Sequence, residues 1–387
     1  MFADIFRVVI SNPIFWIIFL IGAGYPIYTK ITRPTTYTWK EFLTQIICGF
    51  LVFLIIYAAF FLKTNNLENQ SIINTKVKTA EYFEPWTEKV TRRVCHGDKN
   101  QTCETRTSYE YHPASYTVIG DNGHKIGITS SDYNQYSGVF GHTKFLISRY
   151  SKSSFGDGNG YRVLPTTPIS MSYIENYVDY IKGSQGTILK DQSNAESTTY
   201  NALIKDYPTI INSGFGKIDA TRIYDPSNVI ADKSKLEAAL DNLNIVYGGQ
   251  REANIILAVV PKISQDYRYA LMQAWNAPRK NDIIILVSLD NEKIQWVNVI
   301  AFTKHELFKK ELEQKIYEFG KIDESIVPII QSQLTIPKEN ESGFLKEKME
   351  NYSYLQSSMD IPWYWNLALL SLFISLHFGI ARFFAKK

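Results

Sequence analysis

Three stretches of this chain run 21 residues without Asp, Glu, Lys or Arg: Val8–Tyr28, Phe42–Leu62 and Ile361–Ala381. About 20 apolar residues in a helix cross the hydrocarbon core of a bilayer. The second stretch has no polar face beyond Thr44 and Gln45 near its start, which argues against a buried core helix. The first has an alternative as a cleaved signal peptide, with Gly22, Ala23 and Gly24 as its small residues. Its short lead carries both Asp4 and Arg7, and a second apolar run follows closely, so an uncleaved anchor is the preferred reading. The third opens on Ile361-Pro362-Trp363-Tyr364-Trp365, an interfacial aromatic belt, and ends in Arg382, Lys386 and Lys387. Residues 1–62 thus hold two spans (8–28 and 42–62), and residues 361–387 hold a third span and a basic tail.

Between the spans the pattern changes twice. Residues 63–190 show short alternating runs separated by turn signals, a β pattern. Asp121-Asn122-Gly123, between Tyr116–Ile119 and Lys125–Ile128, marks a hairpin. Gly156-Asp157-Gly158-Asn159-Gly160 reads as a plain turn; it lacks the acidic spacing of a calcium loop and the lysine of a phosphate loop. Trp86, Tyr109, Tyr111 and Tyr116 read as core and cross-strand partners. Residues 191–222 read as a linker with a helical element.

Residues 223–335 carry the clearest pattern. Ser227 or Asp232 would cap a helix through Leu236–Leu243. The continuous apolar run Ala253–Val260 is a buried strand, followed by a helix over Tyr267–Trp275. Ile283–Leu289 is a second buried strand, Asp290–Lys293 a turn, and Ile294–Ile300 a third strand. A helix over His305–Tyr317 completes an αβαββα sandwich, and 336–360 is a linker. The fold class is therefore α+β and membrane-anchored.

Charge adds orientation. The loop between the first two spans carries Lys30, Arg33 and Lys40 against Glu41, and the tail is basic without an acid. Basic flanks stay cytoplasmic. The N-terminus and residues 63–360 then lie outside, which in an inner membrane means the periplasm. The three cysteines fit this placement. Cys48 lies in a span, while Cys95 and Cys103 flank the tip of a hairpin, where a disulfide would staple it in an oxidising compartment. Zinc held with His96 is the alternative. The net charge of +3 leaves no electrostatic footprint for nucleic acid.

Residues 223–317 resemble the TPM domain of extracytoplasmic bacterial and thylakoid proteins. Asp225–Val229, the strand Ile255–Val260, Trp275, Asp282–Leu289 and the turn Asp290–Lys293 match its pattern. The resemblance implies a domain beside a membrane anchor, with members that are weak phosphatases, metal binders or assembly factors. Asp225, Asp282 and Asp290 match acidic family positions and would bind calcium or magnesium if they converge. Cap and turn carboxylates are the simpler reading. Three family glycines are replaced here, by Ala277-Pro278, by Ile283, and within Val299–Phe302. Such glycines let a ligand approach the backbone. The overall layout also resembles membrane proteins of large bacteriophages and their hosts.

Catalytic patterns are otherwise sparse. His96, His112, His124, His142 and His305 are scattered, and no nucleophile elbow, zincin helix or Walker loop occurs. His377, within the last span, reads either as a functional ionisable group or as a bond to a neighbouring helix. The sequence thus points away from an enzyme and requires no cofactor. It points to a membrane-tethered interaction or assembly protein of the cell envelope, with the bilayer and an envelope protein as partners. Homo-oligomer formation is compatible with it, and a TPM-type phosphatase or metal-binding domain is the alternative.

Overall fold

The computed structural model describes residues 6, 9–34, 37–65, 67–96, 102–150, 155–184, 200–208, 210–212, 218–275, 278–359 and 361–385. Three of its helices are long and apolar enough to cross a membrane: α1 (Pro13–Thr32), α2 (Trp39–Thr64) and a C-terminal helix, Trp363–Ala385. Asn12 caps α1 through the Ile14 N–H at 2.9 Å, and Pro13 sits at its first position, where no donor is lost. Thr38 and Glu41 form a reciprocal capping box on α2.

Ring contacts fix how the three helices lie. Phe60 near the end of α2 meets Trp365 near the start of the last helix at 5.3 Å, and Gln45 near the start of α2 reaches His377. Phe19 meets Phe373 and Tyr25 meets Phe378, so the last helix runs parallel to α1 and antiparallel to α2. Phe15, Phe53, Tyr57 and Phe373 form the seam. The end of α1, the start of α2 and the end of the last helix therefore share one end of the bundle. The chain between α2 and the last helix leaves and returns at the other end.

Strand β1 (Glu68–Phe83) is the spine of the β-rich region. Its first half pairs with β8 (Ser170–Val178) and its second half lies between β4 (Ser115–Gly120) and β7 (Phe155–Val163). β5 (Lys125–Gly127) and β6 (Thr143–Tyr150) complete a sheet of order β5-β4-β1-β7-β6. Tyr116, Tyr82 and Tyr161 sit opposite one another on β4, β1 and β7 and stack, with centroids 4.8 and 5.5 Å apart. Helix α3 (Ser130–Phe140), opened by a Thr129–Asp132 capping box, lays Tyr133 and Tyr136 on this face. The Gly156–Gly160 segment is part of β7 and not a turn. Gly160 lets the Phe145 ring cross the strand, since a Cβ there would come within 2.5 Å of it.

One pair of strands joins neither sheet: β2 (Trp86–His96) and β3 (Thr102–His112) form an isolated antiparallel ribbon. Two further short strands, β9 (Ile210–Asn212) and β10 (Ile218–Ala220), pair with each other in the stretch read as a linker or helical element, in which Tyr200 is helical. Residues 191–199, 209 and 213–217 of that stretch lie outside the described residues.

The α/β region has the strand order β11 (Ile223–Tyr224), β12 (Asn254–Pro261), β13 (Asp282–Asp290), β14 (Lys293–Ala301). The first three are parallel and β14 is antiparallel to β13. Continuous apolar runs fit here because both faces are covered. Ile255, Leu257, Ile283 and Ile285 face α4 (Ser234–Leu243), α6 (Glu306–Phe319) and α7 (Val327–Thr335). Ile256, Ala258, Ile284 and Leu286 face α5 (Tyr267–Ala274). Gly249, after a π-helical turn at Asn244–Gly248, lets this region close onto β1, because a Cβ there would meet Thr75 Oγ1 at 2.3 Å. Within 336–359, expected as part of a linker, Phe344, Met349 and Met359 are buried. Phe344 lies against Phe308, and Met349 and Met359 join the cluster that seats the helix bundle on the domain.

Candidate functional site

The three acidic residues singled out in the sequence are not brought together. Asp282 opens β13 and Asp290 ends it. At about 3.3 Å per residue they lie roughly 26 Å apart. Asp225 follows β11 and is spent on its own loop: it accepts the Val229 and Ile230 N–H groups at 2.8 and 3.0 Å and pairs with Lys233 at 3.0 Å. Asp290 pairs with Lys262 at 2.8 Å. A shared calcium or magnesium site on all three is therefore corrected to separate turn, loop and core roles: Asp282 lies at the opposite end of β13 from Asp290, and Asp225, which the parallel register sets toward the Asp290 end, is taken by its own loop.

Asp282 is the most buried of the three and belongs to a polar chain inside the fold. Asn254 donates to one carboxylate oxygen at 2.8 Å and the Tyr207 hydroxyl to the other. Arg222 donates to Asn254 and, at 3.0 Å, to Asp241. Burial pushes the Asp282 carboxyl above its ordinary value, against the Arg279 charge and the hydrogen bonds from Tyr207 and Asn254. The segment before it clamps the two regions together. The Lys280 N–H donates to the Tyr177 hydroxyl at 3.0 Å, and Asn281 donates to the Ile72 carbonyl. Both Asp282 carboxylate oxygens are spoken for, while the buried Asn281 Oδ1 has no hydrogen-bond partner.

A cavity of about 500 Å³ opens beside this junction, lined in part by Glu175, Glu252, Lys280, Lys346 and Lys348. Lys280 pairs with Glu175 at 2.9 Å and Lys346 with Glu252, so much of its charge is internally neutralised. Between the apolar helices, Gln45 donates to the His377 carbonyl at 2.7 Å, and Gly49 makes room for the imidazole. The ring's own contact with a neighbouring helix, expected as one reading of His377, is Gln45 Nε2 at 3.4 Å from Nδ1, and the ring Nε2 is buried without a partner.

The ribbon differs from all of these. Tyr109 and Tyr111, expected as core and cross-strand partners, are 72% and 65% exposed, because among the described residues no second layer covers β2–β3. Its register sets Cys95 opposite Cys103. Glu88 lies opposite Glu110 and Trp86 opposite His112, which puts these four side chains on one face. His112 Nε2 lies 3.1 Å from a Glu88 oxygen, and its ring stacks on Trp86 with centroids 4.4 Å apart. Glu88, Glu110 and His112 form a three-residue cluster whose ligand atoms lie within 4.8 Å of one another. Sequence reading missed this cluster, since Glu88 and His112 meet only once the strand register is known. The available signal was Glu-x-His on a strand facing Trp-x-Glu.

Family models, curated proteins and solved structures were compared with this chain, and none of them matches it.

Proposed function

We propose that this chain is a membrane-tethered extracytoplasmic protein that holds or helps assemble another protein of the cell envelope, using the β2–β3 ribbon as its contact arm. The isolated ribbon is the observation that carries the reading. Each strand is 11 residues long, and the two pair only with each other among the described strands. A lone two-stranded ribbon is marginal in water. Exposed tyrosines on such an arm offer rigid apolar area with a wet hydroxyl, the chemistry enriched at protein interfaces.

Several observations support the membrane placement. Ile17, Leu20, Ile47, Ile55 and Leu367 project from the bundle with half or more of their surface exposed, an apolar coat that suits lipid. The end of the bundle where α1 ends, α2 begins and the last helix ends is the one that the basic sequence flanks, and we assign it to the cytoplasm. The N-terminus and the main domain then face the periplasm, where Cys95 and Cys103 would close the ribbon tip as a disulfide. The sandwich order within 223–335 keeps the TPM-like reading as part of the proposal. The phosphatase alternative has no supporting observation, because its three carboxylates are far apart or internally paired.

The test is affinity capture of tagged full-length protein from its own membranes, beside a variant with residues 88–110 replaced by an Asn-Gly turn. The reading expects one dominant co-purifying envelope protein, lost in the ribbon-shortened variant while the domain stays folded. Equal capture by both chains would remove the ribbon from the account. A reporter fused after Lys387 is expected to be active only when the tail is cytoplasmic.

A further inference from the structure

We propose that Glu88, Glu110 and His112 form a binding site for one divalent transition-metal cation of the zinc class on the face of the ribbon. The argument begins with register. Glu88 and Glu110 are directly opposed, an arrangement in which two like charges repel and destabilise the pair. Glu88 is held close, with its side chain only 11% exposed. A cation between the carboxylates turns that repulsion into attraction.

The third group selects the cation. His112 lies two residues beyond Glu110 on the same face, and its Nε2 already points at Glu88 from 3.1 Å. The Trp86 ring lies nearly parallel to the imidazole, at 12°, and fixes its plane. An imidazole with two carboxylates is a donor set for zinc or manganese, whereas calcium and magnesium favour oxygen alone. The three ligand atoms lie within 4.8 Å of one another, so bonds of about 2.1 Å need the exposed Glu110 side chain to swing in by about 1 Å. Three protein ligands leave a fourth position for water. The site stands on ribbon geometry and does not depend on membrane placement or on a partner.

The test uses the full-length protein in detergent, stripped with a chelator and titrated with zinc chloride by calorimetry and by thermal melting. The expected result is uptake of one zinc ion per chain and a raised melting temperature for the ribbon-bearing domain. Glu110→Gln, at an exposed position, is expected to fold as before, to lose at least tenfold in zinc affinity and to show no zinc-dependent shift. His112→Gln is expected to do the same. Two outcomes overturn the proposal: no saturable uptake by the native chain, or uptake unchanged in Glu110→Gln. Uptake kept in Glu110→Gln but lost in Cys103→Ser would place the metal at the ribbon tip and equally overturn it.

Discussion

The sheet of the α/β region and the β2–β3 ribbon are built from the same backbone ladder and meet opposite fates. Along β13 every residue but the last is buried, and helices cover both faces. Along β3 the described side chains from Cys103 to Tyr111 are all exposed. In the sheet, carboxylates answer to nearby donors: Asp282 to Asn254 and Tyr207, Asp290 to Lys262. In the ribbon, two glutamates oppose each other beside a histidine, and two tyrosines face outward. The difference teaches that an acidic residue in a family-like position is a weak guide to function when the fold already uses it. Like charges set opposite each other beside a metal-binding side chain, as Glu88, Glu110 and His112 are, make the better guide.

The comparison breaks most visibly in the sheet. Ile285→Ala empties a fully buried site between two neighbouring strands and is expected to cost about 2–5 kcal/mol in denaturant unfolding of the full-length chain. A change below about 0.5 kcal/mol, the size of an ordinary surface substitution, would mean that this sheet is not the stable half of the molecule. Cys103→Ser comes next. If the tip is closed by a disulfide, the substitution removes about 2 kcal/mol of chain constraint. That loss should appear as faster amide exchange in β2 and β3 and nowhere in β12 or β13.

Asp282→Asn sharpens the sheet's side through pH. Burial raises the Asp282 carboxyl above its ordinary value of about 3.9, so the folded chain keeps that proton to higher pH than the unfolded chain. Its contribution to stability is full below about pH 3.9 and declines as the pH rises through the folded-state value. The Asn variant is expected to lose this part of the slope in melts recorded from pH 4 to 8. An unchanged slope would show that the carboxyl is ionised in the fold throughout. The smallest stability effect belongs to the ribbon: Tyr109→Ala with Tyr111→Ala is expected to stay within about 0.5 kcal/mol per site. The same pair is expected to abolish partner capture.

Much of the architecture was legible before any coordinates. The three apolar helices follow from length and composition, and the strand expected at Ile283–Leu289 is β13, one residue longer at each end. Continuous Ile and Val runs leave little choice when both faces must be buried. The Asp121–Gly123 turn is likewise present between β4 and β5, with Gly123 at φ +81°. Helix α3 was not read, because Ser130–Phe140 has little apolar periodicity and its signal lies in the Thr129–Asp132 box. The Gly156–Gly160 stretch was misread because Gly160, which makes room for Phe145, looks like a glycine that makes a turn. The candidate metal cluster was the least legible feature. Its members come from two strands, and only the register brings Glu88 to Glu110 and His112.

The central claim is that the ribbon, and not the α/β sheet, is where this protein meets its partner. A photo-crosslinking residue placed at Tyr111 in the full-length protein, in its own membranes, tests it most directly. Tyr317 on α6 is the control, since it is 54% exposed on the surface of the α/β region. The account predicts one dominant adduct from position 111, absent from position 317 and lost when Tyr109→Ala is added. The same adducts from both positions, or adducts from position 317 alone, would contradict it.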